Sequence, residues 1–150
     1  MKIVIQRCSR ASVSVDNKII SEIGAGMMVL VGVAVDDTDD DAIKLAAKTA
    51  ALRIFNDSDN VMNLSVIQTE GEILAVSQFT LLASTRRGNR PSYVNAARHE
   101  LATRLYDLYC DQLALLIGRP VKKGIFGADM QVELINDGPV TIVIDTAESR

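Results

Sequence analysis

Residues 130–145 read MQVELINDGPVTIVID. Two apolar runs of β type, MQVELI and VTIVID, share the short polar segment NDGPVT. Gly138 suits a turn between strands, because glycine enters backbone regions that other residues avoid. Pro139 opens the second run and has no N–H to give to a strand ladder. The stretch predicts two strands joined at a Gly-Pro corner, which is either a plain hairpin turn or a part aimed at a ligand.

Outward from that corner the chain is read as more strands and two helices. KIVIQ (2–6) is a strand, and ASVSV (11–15) alternates Ala11, Val13 and Val15 with serines, as a half-buried strand does. DNK turns the chain into IISEI (19–23). GAGMMVLVGVAV (24–35) has a Gly-rich entry and a continuous apolar run, the pattern of a strand covered on both faces. Acids lead residues 36–55 and Ala, Leu and Lys follow, which places a helix over about residues 39–52, its carboxylates at the positive end of the dipole. GEILAVSQFTLL (71–82) is read as one strand, so that Thr80 ends a strand. A second helix follows the Arg-rich loop ASTRRGNRPS (83–92), with Ser92 as its N-cap and Ala97, Leu101, Leu105 and Leu108 on one face. The order predicts a single α/β domain over residues 1–150, with mixed β-sheet layers and helices packed on one side.

Composition narrows the function. A chain of 150 residues supports one sizeable core, and 48% hydrophobic with 23% charged residues is ordinary for a globular protein. A net charge of −3 argues against binding duplex DNA mainly through phosphates. The N-terminus meets charge too early for a signal peptide, and no apolar run nears the ~20 residues of a membrane span, so a cytoplasmic protein is expected. Cys8 and Cys110 form no C-x-x-C pair and are expected to be reduced and buried.

Familiar catalytic signatures are missing. The one histidine, His99, falls inside the second helix pattern, where a solvated or capping role is expected. There is no H-E-x-x-H, no dinucleotide fingerprint and no phosphate loop, and DDTDDD lacks EF-hand spacing. No metal or cofactor is expected. Catalysis would then fall to backbone amides, hydroxyls or groups brought by the substrate.

Three segments taken together carry a family signature: VSQFTL (76–81), RRGNRPS (86–92) and FGADMQVELINDGPVT (126–141). With IQRCSRASVSV near the start and MNLSV at 62–66, the chain closely resembles the D-aminoacyl-tRNA deacylases over its whole length. The resemblance implies hydrolysis of the ester joining a D-amino acid, or glycine mischarged on tRNA(Ala), to the terminal ribose of tRNA, with L-aminoacyl-tRNA spared. It implies a homodimer with active sites at the subunit interface. A cis Gly138-Pro139 pair would enter the partner's site as a chirality gate, fixed by Arg7. Ser77, Gln78, Phe79 and Thr80 would line the aminoacyl pocket, joined by Met130. Phe79 and Thr80 carry the expected catalytic groups.

Two routes remain open at Thr80. Its hydroxyl could attack the ester, although no neighbour in sequence offers a base. Alternatively the N–H groups of Phe79 and Thr80 stabilise the oxyanion while the ribose 2′-OH helps activate water. Arg86, Arg87 and Arg90 are expected to contact acceptor-stem phosphates, with Lys122 and Lys123 as weaker candidates. The competing readings are a non-catalytic RNA 3′-end binding module and a structural dimer sealed by the Gly-Pro corner.

Overall fold

Alternation of Ile3 and Ile5 with polar neighbours starts β1, the strand on which the molecule is organised. In the computed structural model, which describes residues 1–149, β1 spans Lys2–Val15. Strands β2 (Lys18–Ile23) and β3 (Gly26–Gly32) pair with it antiparallel, one along each half. Helix α1 (Asp39–Ala51) follows, then the short hairpin β4 (Phe55–Asn56) and β5 (Met62–Leu64). Strand β6 (Glu72–Ser77) lies parallel to β3, which makes the sheet mixed. After α2 (His99–Ile117) come β7 (Lys122–Lys123), parallel to β6, and the fifteen-residue β8 (Gln131–Asp145).

The expected helix boundaries hold at α1. Thr38 N-caps it, its N–H donating to Asp41 Oδ2 at 2.9 Å, and Asp39–Asp41 fill the first turn. At α2 they do not. Ser92 bonds Ser84 across the loop instead, and Ala96 N–H donates to the Tyr93 carbonyl in a turn whose Asn95 carbonyl accepts from Val35 N–H, while Ala97 N–H donates to the Val33 carbonyl, tying residues 93–97 to the tail of β3. The helix starts at His99, and its buried stripe is Leu105, Tyr106, Tyr109, Cys110, Leu113 and Ile117.

Both helices cover one face of the sheet. Ile3, Ile5, Met27, Val29, Val31, Ile73 and Ala75 form the core with them. The opposite face of β3 and β6 holds a smaller core in which Met28, Leu74 and Val76 meet Cys8, Ala11, Val13 and Ile23. Strand β1 serves both cores because its ladder to β8 slips on either side of Cys8 and the strand bends there. The sheet curls until its ends touch, with Ser21 Oγ donating to the Lys123 carbonyl at 2.7 Å. The β/β/α layering read from the sequence is the observed architecture.

Two strand readings are corrected. GEILAVSQFTLL leaves the sheet at Ser77, and Phe79–Leu82 form a 3-10 turn. The turn folds over Gly32, where a Cβ would stand 2.5 Å from Leu82 Cδ2 and 2.9 Å from the Gln78 carbonyl. Residues 131–145 are not a hairpin either. Both halves run along β1 in the same direction, Asn136 opposite Cys8 and Thr141 opposite Gln6. Only Arg7 faces residues 137–140, so the surplus chain bulges out and Gly138-Pro139 is its tip. Among the described residues no helix is long and apolar enough to cross a membrane.

Candidate functional site

The site begins where β6 ends. Ile73, Leu74 and Ala75 are fully buried, and the Ala75 carbonyl accepts from the Tyr106 hydroxyl at 2.9 Å and from Gly124 N–H at 3.2 Å. Tyr106 ties the strand to α2 and Gly124 ties it to β7, so the next residues leave a fixed base. Ser77, Gln78 and Phe79 then wall a cavity of about 400 Å³, a size that suits a small ligand.

Residues 126–130 line it as well, together with Val76 and Val132. Met130 reaches in because position 124 is glycine; a Cβ there would stand 2.6 Å from its Sδ. The first turn of α2 adds His99 and Ala102. The His99 ring meets Phe126 edge-on at 5.2 Å, and Phe126 in turn leans on Tyr106 at 5.7 Å. The lining is largely apolar, with the Ser77 hydroxyl, Gln78 amide, His99 imidazole and Asp129 carboxylate as its polar points.

Ser77, Gln78, Phe79 and Met130 are thus brought together on one cavity. Thr80 stands beside them, exposed, on the 3-10 turn rather than on a strand. Its hydroxyl oxygen accepts from Gln78 Nε2, an amide that donates and cannot serve as a base. Leu81 is the first residue of the turn whose N–H bonds back, to the Gln78 carbonyl at 3.3 Å. The N–H groups of Phe79 and Thr80 precede that ladder, as the first donors of any helical turn do.

Arg7, Gly138 and Pro139 are not on this cavity. They form a separate constellation at the bulge of β8, where the Gly138-Pro139 bond is cis. Arg7 is buried, 7% exposed, and spans the corner. Its Nε donates to the Asp137 carbonyl at 3.0 Å, and its Nη1 to the Ile54 carbonyl at 2.8 Å and Asn56 Oδ1 at 3.1 Å. Gly138 has φ +127°, and a Cβ on it would lie 2.8 Å from Val140 Cγ2 and 3.0 Å from Arg7 Nη2. Asn136 braces the corner from inside, accepting from Val140 N–H and donating to Gln6 Oε1 at 2.8 Å.

Arg86, Arg87 and Arg90 are exposed on the loop closed by Ser84 and Ser92, and line one depression of about 220 Å³. Lys122 and Lys123 sit on β7, and Lys123 is paired with Asp107 at 2.9 Å. Both cysteines are buried and free. Burial pushes the Cys8 thiol up to about 11 and the Cys110 thiol up to about 12, so neither is a thiolate at neutral pH.

Sequence reasoning missed His99, Phe126 and Asp129. His99 was assigned to a helix interior, but as the first residue of α2 it opens onto the cavity. Phe126 and Asp129 fell inside a recognised segment, yet only Met130 was singled out there.

Comparison with known proteins follows the same boundaries. The family described as D-Tyr-tRNA(Tyr) deacylase matches residues 4–145. A protein of Opitutus terrae named D-aminoacyl-tRNA deacylase is 56% identical over 146 residues, 97% of each chain. One of the same name from Porphyromonas gingivalis is 54% identical over the same span. A solved structure described as c-Myc DNA Unwinding Element Binding Protein superposes with a TM-score of 0.91 at 42% identity, covering 97% of this chain and 98% of its own. Another, described as a probable eukaryotic D-amino acid tRNA deacylase, shares the fold at a TM-score of 0.82 and 19% identity, covering 95% and 97%.

Proposed function

The chain belongs to the D-Tyr-tRNA(Tyr) deacylase family and is a hydrolase of the D-aminoacyl-tRNA ester bond, and from that premise we propose how its residues carry the reaction. The observation that carries the reading is the cavity at the end of β6, which Ser77, Gln78 and Phe79 line, next to a Thr80 hydroxyl whose partner is an amide donor that cannot act as a base. The aminoacyl group sits against Ser77, Gln78, Phe79 and Met130. Water attacks the ester carbonyl carbon, and the Phe79 and Thr80 N–H groups hold the oxyanion as charge develops. The ribose 2′-OH helps to activate the water. The C–O3′ bond then breaks, the water proton passes to the 3′-oxygen, and free amino acid and tRNA result. Thr80 is a neighbour of the oxyanion in this scheme, not a nucleophile.

Chirality is read by the Gly138-Pro139 corner of a second copy. In one protomer that corner stands apart from the cavity, so the gate requires a homodimer. The β8 edge supports one: it is long, and Ile135 and Val143 on it are 49% and 61% exposed, whereas uncovered edges are usually short or charged. Carbonyls at the corner accept from the substrate α-ammonium. With ammonium and ester both held, an L side chain is driven into the corner and a D side chain points outward. Selection by exclusion tolerates many D side chains and cannot refuse glycine, so glycyl-tRNA(Ala) is also a substrate. Arg86, Arg87 and Arg90 take acceptor-stem phosphates, with the more exposed Lys122 as a secondary contact. The whole of residues 1–150 acts as one catalytic unit in the cytoplasm.

The test is hydrolysis of D-Tyr-tRNA, L-Tyr-tRNA and Gly-tRNA(Ala) by the purified protein. Loss of the first and third with the second intact is expected. Equal loss of D and L esters removes the gate, and no loss of any leaves a non-catalytic 3′-end binding module.

A further inference from the structure

Between the cavity and the arginine loop stand two aromatic rings, Phe79, which also lines the cavity, and Tyr93, which neither hydrolysis nor the corner employs. Phe79 and Tyr93 meet edge to face, with centroids 5.0 Å apart and planes at 67°. They are 57% and 38% exposed, so core burial does not account for them. In this geometry one ring offers only its edge to the other, and the pair keeps free π faces. Phe79 lines the cavity on one side. Tyr93 directly follows Ser92, which closes the arginine loop through two bonds to Ser84, at 2.8 and 2.9 Å. Arg86, Arg87 and Arg90 share their depression with Ser92 and Val94, the residues that flank Tyr93. Cavity, Phe79, Tyr93 and cationic depression therefore form one strip.

A single nucleic-acid strand is held by this combination: cations along the phosphates and aromatic faces beneath the bases. Composition alone, with three Phe and no Trp, does not announce a stacking platform. The fold makes a small one by bringing residues 79 and 93 together. We propose that Tyr93, seated on Phe79, is a stacking platform for the nucleobase that precedes the terminal adenosine of the bound RNA, with its phosphate on the arginine loop. The proposal rests on the deacylase reading and extends it from the reacting ester to the strand behind it. A ring face fits any base, so the platform holds the single-stranded end of every tRNA alike.

Two experiments test it. The first compares kcat/KM for D-Tyr-tRNA with that for the D-tyrosyl ester of adenosine, which lacks the preceding nucleotide. Tyr93→Leu is expected to lower the ratio of the two about tenfold, through KM for the tRNA, and Tyr93→Phe to preserve it. An unchanged ratio in Tyr93→Leu, or an equal loss in Tyr93→Phe, overturns stacking. The second needs no catalysis. The chain has no tryptophan, so Tyr93→Trp installs a single indole fluorophore. Titration with the trinucleotide CCA is expected to quench it saturably, with weakening as salt rises. Emission that ignores CCA but shifts with protein concentration would assign the rings to a contact between copies and overturn the proposal. Failure of wild-type protein to hydrolyse D-Tyr-tRNA would sink the deacylase reading instead, while CCA quenching would still report on the platform.

Discussion

The turn at residues 77–80 and the corner at residues 137–140 each interrupt a strand, and they are held by different means. Before the turn, β6 is sealed in apolar core, with Ile73, Leu74 and Ala75 at 0% exposure. The turn lands on Gly32 and needs no charged anchor. The corner lies on β8, a strand with no fully buried residue. It is held by a buried guanidinium bonding three oxygens and by the Asn136 brace. A segment that projects from an edge has little apolar area to bury, so direction must come from hydrogen bonds. A segment that lines a cavity inherits its position from the core behind it. The cavity is therefore a product of packing and the corner a product of hydrogen bonds centred on one arginine.

Substitutions can break that contrast. The largest effect is expected at Arg7→Ala, which leaves the Ile54 and Asp137 carbonyls without their donor. Stability should fall by about 3 kcal/mol in urea unfolding, with loss of discrimination against L-Tyr-tRNA. Arg7→Lys should recover only part of either, since an ammonium cannot span the guanidinium's acceptors. An Arg7→Ala protein that still rejects the L ester would show that the corner is held by packing after all.

The two glycines form the matched pair. Gly32→Ala pushes on the Gln78 carbonyl and Leu82, at an expected cost of about 1–3 kcal/mol, and should slow hydrolysis of the D ester. Gly138→Ala puts a side chain at φ +127° against Val140 and Arg7, at a cost of about 1–2 kcal/mol, and should raise the L-to-D rate ratio more than tenfold. Were Gly32→Ala to alter the ratio and Gly138→Ala only the D rate, the division of labour between cavity and corner would be wrong. The smallest effect is expected at Thr80→Ala. It should leave kcat for D-Tyr-tRNA within about threefold, whereas a loss of about a thousandfold would make its hydroxyl the nucleophile.

Much of this was legible in the residues. The acids that lead residues 36–55 and the Ala, Leu and Lys behind them announced α1, and the apolar run of β3 announced a strand covered on both sides. SQFT and NDGPVT marked the working segments. The errors share one cause. Residues 71–82 continue a strand pattern past Ser77, and only the approach of Gly32 turns them. Ser92 has the chemistry of an N-cap, but a partner at Ser84 took its backbone bonds.

Local propensity and periodicity are properties of neighbours in the chain, so the sequence alone settled α1, the existence of α2 though not its start, most strands and the family. Which segments pair, and at what register, is decided over long separations; Arg7 reaches Asp137 across 130 residues. Only the tertiary structure could make the Gly-Pro segment a bulge rather than a hairpin. It also set His99 and Asp129 around one cavity with Ser77, and laid Phe79 against Tyr93, because those meetings depend on how the sheet curls and where β1 bends.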